Sequence, residues 1–267
     1  MIMATESATA FVGKSARVVT SLTSAVVLVS PSIFMEISRA NGAVADQFSL
    51  FTLGISDFLP FFMPIFAALL YAPVVMQEAG TGGAWGPIMA RRGRSPYVVR
   101  HAVRAACAGF IVFAGSVALV AVMSYGIHPH LIPVDFFNSF GDDLEPVAER
   151  LTFSQLYAVS PVLYFAFQSI WVGIGGAALS TLAAVGAMFF ENRFVALLWL
   201  PVVVLLSEFV AGALRVDHFS LIRSFIPTGV TQQDPLIPVV VGLVVFLIAG
   251  VVAAYAAFSA KLPKALC

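Results

Sequence analysis

Five arginines and one histidine crowd into a single stretch of the chain: Arg91, Arg92, Arg94, Arg100 and Arg104, with His101. The chemistry open to such a cluster is electrostatic. In a membrane chain, a short loop rich in Lys and Arg stays in the cytoplasm. The cluster therefore orients the chain and marks a surface on which a cytoplasmic partner can act. Covalent chemistry finds less to work with. The pattern G-x-x-x-x-G-K-[ST] is absent, as are H-E-x-x-H and G-x-S-x-G. Gly80, Gly82, Gly83 and Gly86 do not form a dinucleotide fingerprint and read as turn residues. His128 and His130 form H-P-H at a helix end, with no further metal ligands nearby in sequence. Cys107 and Cys267 lie far apart, with neither metal-ligand spacing nor a disulfide framework. The expectation is a chain with no catalytic, cofactor-binding or metal site of its own.

Composition says what must hold the cluster in place. The chain has 267 residues, of which 60% are hydrophobic and 10% charged, and its mean hydropathy is +0.97. A soluble domain carries about 25% charged residues, so much of the solvent here is lipid. The formal net charge is +0, with no basic domain of the kind nucleic-acid binding needs. Lys14 and Arg17 before the apolar stretch 18–34 resemble the start of a signal peptide. The preceding segment is long and carries Glu6, and Pro31, Phe34, Met35 and Glu36 stand where a cleavage site would be. The stretch reads as a retained first membrane helix.

A spanning helix needs about 20 mostly apolar residues. Six runs meet that need: 16–37, 50–76, 102–125, 159–190, 194–214 and 236–259. Pro60, Pro64 and Pro73 predict that the second run is broken or kinked. Alternating spans put Lys14, Arg17, the arginine cluster, Arg193, Lys261 and Lys264 on one side. The other side receives Arg39, Arg150, Arg215 and Arg223, but also Asp46, Asp135, Asp142, Asp143, Glu145, Glu149, Asp217 and Asp234. Both termini are therefore expected in the cytoplasm. The largest outer segment, 126–158, is acidic, and 145–157 reads as a short interfacial helix with Val147, Leu151 and Leu156 on its apolar side. The loop 216–235 is turn-rich.

The cytoplasmic segment 77–101 has finer structure than a plain positive loop. Glu78 stands where the second run leaves the membrane, glycines follow, and Trp85, Ile88 and Met89 suit a short helix on the membrane surface. Pro96 opens the next element and Tyr97 anchors it. A positive-inside loop accounts for the arginines, and less well for the acid, the glycines and the central apolar residues. Within the spans, Asp57, Gln168, Ser169 and Glu208 are polar groups at membrane depth. Such groups face protein or a water-filled cavity, so they read either as a path wall or as interhelical hydrogen bonds. Gly173, Gly175, Gly176, Ala177 and Ala178 suit close helix packing.

The stretch PIFAALLYAPVVMQEAGTGGAWGPIMARRGRSPYVVRHAVRAACAGF resembles the membrane subunit of ABC transporters of the ABC-2 type. The resemblance rests on Pro64, Tyr71–Ala72, Glu78, Gly80, Met89, Arg91–Arg92 and Tyr97, in family-like order. A second stretch, WVGIGGAALSTLAAVGAMFFENRFVALLWLPVVV, is similar to the family's fourth and fifth helices, with Asn192 at the tight turn. The usual Lys near the start of the third helix is Arg100 or His101 here. The resemblance implies an all-α membrane protein in which residues 1–267 form one domain. That domain would have six transmembrane helices in the ABC-2 (type V-like exporter) permease fold and a coupling helix between helices 2 and 3. It implies an exporter subunit in the plasma membrane of a bacterium, paired with a second permease and docked to two ATP-binding subunits that carry ATP and Mg. Glu78, Trp85, Ile88, Met89, Arg91, Arg92 and Tyr97 would contact the ATPase. Asp57, Gln168, Ser169 and Glu208 would lie along the translocation path. The competing reading is a non-transporting scaffold or regulatory subunit of a larger membrane complex.

Overall fold

In the computed structural model, residues 2–41, 47–56, 58–80, 94–128, 136–137, 144–145, 153–190, 192–216, 219–226 and 236–258 are described. They are almost wholly helical. The elements are α1 (Ile2–Ala40), α2 (Gln47–Ser56), α3 (Leu59–Gly80), α4 (Arg94–Gly126), α5 (Gln155–Val159), α6 (Pro161–Gly186), α7 (Arg193–Ala213), α8 (Leu221–Phe225) and α9 (Leu236–Phe258). A two-residue antiparallel ladder pairs β1 (Phe136–Phe137) with β2 (Leu144–Glu145). Among the described residues, six helical segments are long and apolar enough to span a membrane: Ala16–Ala40, Leu59–Glu78, Ser95–Gly126, Pro161–Phe189, Arg193–Ala213 and Leu236–Phe258.

Five of the six apolar runs correspond to single spans, and the second divides. Its break falls between Ser56 and Leu59, ahead of every proline. Pro60 sits in the first turn of α3, where a missing N–H leaves no bond unmade. Pro64 and Pro73 lie inside a continuous α3. The interfacial helix expected over 145–157 is corrected at its start, where Glu145 is in the ladder; a helix runs from Gln155 to Val159, and 146–152 lie outside the described residues. The residue after Glu145 is Pro146, and a residue before proline is pushed out of the helical region into extended backbone.

The bundle is built around α6. Buried residues make up 89% of its span, against 22% for both α7 and α9 and 28% for α1. Glycine makes this possible by letting backbones approach. A Cβ on Gly109 of α4 would lie 2.4 Å from the Gly176 carbonyl oxygen of α6. One on Gly186 would lie 2.1 Å from the Trp199 ring of α7, and one on Gly242 of α9 would lie 2.8 Å from the Trp171 ring. The outward faces of α1, α7 and α9 carry Leu22, Val202, Phe209 and Leu247, all exposed. Contact with lipid tails explains this surface directly, since no polar solvent favours it.

Short elements cap the end of the bundle opposite the arginine-rich stretch. Phe48 and Phe51 of α2 pack edge-on or tilted against Tyr157 of α5 and Tyr164 and Phe165 of α6. The chain turns from α7 toward α8 through a double hydrogen bond: Val216 N–H donates to the Ala211 carbonyl at 2.9 Å, and Arg215 N–H to the Gly212 carbonyl at 3.1 Å. This is a Schellman ending, and it holds Arg215 at φ 57° in the left-handed region that favours glycine. At the other end of α7, the Asn192 side chain accepts from the Phe194 N–H at 2.9 Å and caps the helix after the tight turn from α6.

Candidate functional site

The site lies where α3 and α4 flank the arginine-rich stretch. On α3, Tyr71 and Glu78 are seven residues apart and so share a helix face. On α4, Tyr97 and His101 are four apart and do the same, with Arg104 following at three. Those faces meet. The Tyr97 hydroxyl donates to Glu78 Oε2 at 2.8 Å. His101 Nε2 lies 3.2 Å from the same oxygen. The Tyr71 hydroxyl is 3.2 Å from His101 Nδ1. The Tyr97 and His101 rings stack at a tilt, with centroids 4.3 Å apart. Arg104 approaches Tyr71, and Arg100 adds positive charge near Glu78.

Both imidazole nitrogens are thus engaged. With the Tyr71 hydroxyl donating to Nδ1, the ring's own proton sits on Nε2 and points at the carboxylate. The His101 side chain is 3% exposed and that of Glu78 40%. The carboxylate therefore meets solvent, while the histidine is sealed behind it. Beneath them Val75, Val98, Ala102, Ala105, Val185, Met188 and Ala256 form a separate apolar cluster. Its members come from α3, α4, α6, α9 and the turn after α6. The arrangement is a joint: a polar clasp over an apolar bearing, tying the two ends of the loop 81–93 to each other and to the bundle. Among the described residues, no three His, Cys, Asp or Glu side chains gather as metal ligands would.

Two of the expected partner contacts, Glu78 and Tyr97, are brought together and bonded to one another. Trp85, Ile88, Met89, Arg91 and Arg92 lie outside the described residues, as does Asp57. The other polar groups at membrane depth have structural partners. Gln168 Nε2 donates to the Phe225 carbonyl at 3.1 Å, while its Oε1 has no partner among the described residues. Ser169 donates back to the Phe165 carbonyl of its own helix at 2.7 Å. Glu208 accepts from the Ile222 N–H at 2.9 Å and from the Ser220 hydroxyl. With the Trp171 indole donating to the Ser224 carbonyl at 2.8 Å, these groups hold α8 in place from two sides.

Sequence reading passes over His101 and Tyr71 as site residues, although their helical spacing from Tyr97 and Glu78 is an available signal. It also passes over a second histidine–carboxylate pair. His128, just past the end of α4, lies 2.7 Å from Glu36 Oε1 of α1. No protein-family model, no curated protein and no solved structure matches this chain.

Proposed function

We propose that the chain is the membrane-spanning permease subunit of an ATP-driven exporter of the ABC-2 type, coupled through the loop between α3 and α4 to a separate ATP-binding subunit. The carrying observation is the clasp of Tyr97 and His101 on Glu78. A loop pinned at both ends to a rigid bundle passes a push on to the helices, whereas a loosely attached loop absorbs it. The push would reach α4, and α4 is locked to the central α6 by the Gly109–Gly176 approach. Two copies, or one copy and a paralogue, would form the path between them, with two ATPases supplying ATP and Mg. In this reading Gln168 and Ser169, buried within one chain, reach the path only if α8 lifts away. The arginine-rich face and both termini would lie in the cytoplasm.

The test is co-expression with an ATP-binding subunit encoded beside this chain, followed by purification. Vanadate-sensitive ATP hydrolysis in the purified complex is expected. The double charge reversal Arg91→Glu with Arg92→Glu is expected to reduce co-purification of the ATPase. Unchanged co-purification would overturn the role given to those arginines. A chain that purifies alone and binds no ATPase would overturn the transport reading in favour of a membrane scaffold.

A further inference from the structure

We propose that Glu36 and His128 form a proton-sensitive catch that fixes the ends of α1 and α4 to each other on the face opposite the arginine-rich loop. The contact joins residues 92 apart in sequence, with His128 Nε2 and Glu36 Oε1 at 2.7 Å. It is braced from two directions. Arg39, one turn on from Glu36, donates from Nε to the other carboxylate oxygen at 2.9 Å. Gln47 at the start of α2 donates from Nε2 to the His128 backbone carbonyl at 2.7 Å. The carboxylate is oriented by the arginine and the histidine backbone by the glutamine, so neither group can swing away alone. Three elements converge on the histidine.

Exposure makes the pair responsive. The His128 side chain is 8% exposed and that of Glu36 32%. The imidazole is held in a fixed pose, yet its partner touches solvent, so protons from that face can reach the contact. Among the described residues, the charged groups facing His128 are Glu36 directly and Arg39 through Glu36, both on α1. The side chain that α2 brings, Gln47, is neutral. With the imidazole protonated, the contact is an ion pair with a charge-assisted hydrogen bond. With the imidazole neutral, the attraction between opposite charges is gone: in one tautomer Nε2–H still donates to the carboxylate, and in the other a lone pair faces it. The extra holding strength therefore belongs to the protonated form and is lost when that proton leaves.

The opposite end of α4 supplies an internal reference. His101 and His128 are 27 positions apart on or just beyond one helix, which at 1.5 Å per residue is about 40 Å, a membrane's width. The same pairing of residue types thus stands at both faces, joining α4 to α3 at one end and to α1 at the other.

The test is hydrogen–deuterium exchange of the full-length protein in detergent micelles at about pH 6 and about pH 8, either side of the ordinary imidazole value. His128→Gln is compared with wild type at each pH, so intrinsic exchange chemistry cancels. Amides 37–41 and 124–128 are expected to exchange roughly fivefold faster in the variant at the lower pH. That ratio should fall toward one at the higher pH, while amides 97–104 remain unchanged at both. A ratio that does not depend on pH, or one that stays at one throughout, would overturn the catch. If His128→Gln fails to fold, Glu36→Gln reads the same question, since its amide oxygen still accepts from Nε2 but carries no charge. Amides 124–128 of that variant should likewise exchange faster than those of wild type at the lower pH, with the ratio falling toward one at the higher pH. A ratio that is the same at both pH values would equally overturn the proposal. No ATPase partner enters the experiment, so its outcome is independent of the transport reading.

Discussion

Tyr97 places a neutral donor on a carboxylate that His101 also contacts, and the two share one oxygen of Glu78. Removing the hydroxyl with Tyr97→Phe keeps the ring stacked on His101 and leaves Glu78 with one donor fewer. Bonds to charged groups are worth about 1.5–3 kcal/mol. Because the Glu78 side chain is 40% exposed, water replaces part of that, and a loss of about 1 kcal/mol is expected. Thermal unfolding in micelles measures it, as a midpoint a few degrees lower. An effect of opposite sign is expected at Arg215, whose left-handed φ of 57° costs a non-glycine residue about 1 kcal/mol. Arg215→Gly should raise the unfolding midpoint, and a lowered midpoint would show that the arginine side chain contributes more than its backbone strain. At this scale the sequence is only half legible. Glu78 and Tyr97 stand out as loop ends because an acid beside glycines and a tyrosine after proline are locally conspicuous. That they bond each other depends on the relative rotation of two helices, which no local pattern carries. His128 looks like part of a polar loop because its partner, Glu36, comes from another span.

Helix packing sorts the glycines more sharply than composition does. Gly109 faces backbone, so that a Cβ at this position would meet the Gly176 carbonyl oxygen at 2.4 Å, whereas one at Gly250 on α9 would meet nothing within 4 Å. Gly109→Ala must therefore push two helices apart, and a loss of about 2 kcal/mol is expected. Gly250→Ala should be neutral or stabilising by up to about 1 kcal/mol, since alanine is the better helix former. Comparing the two variants' unfolding in one detergent checks the pair, and equal effects would contradict the packing described. The spans themselves are legible because lipid demands long apolar runs with every backbone group satisfied. The glycine-rich middle of α6 also announces a packing helix. A break in the second run is readable from its prolines but not its position, since Pro60 starts a helix here rather than ending one. The helix expected from Glu145 does not start there: Glu145 lies in the ladder, and a helix is described over Gln155–Val159.

An even number of crossings returns the chain to the face on which it began. The skewed distribution of arginine and lysine then makes a prediction for the whole molecule: reporters fused at either terminus, or at position 86, should score as cytoplasmic, and reporters at 140 or 230 should not. A split result between the two termini would mean that one of the six segments does not cross. The overall architecture is readable as far as the count and order of spans. The glycines of α6 mark it as a packing helix, but the contacts that seat it inside are not readable: the ring of Trp199 against Gly186 and that of Trp171 against Gly242. That seating has a consequence for synthesis. The wall that closes over Trp171 comes from α9, which leaves the ribosome after the other five spans, and α8 just before it supplies the carbonyl that receives the indole proton. Until then the most enclosed helix of the finished protein stands open to lipid along one side. A message truncated before codon 236 should yield a chain that inserts five helices yet cannot bury its own axis. Such a chain is a natural substrate for membrane quality-control proteases, so the arrival of α9 is also the step that shields the axis from them.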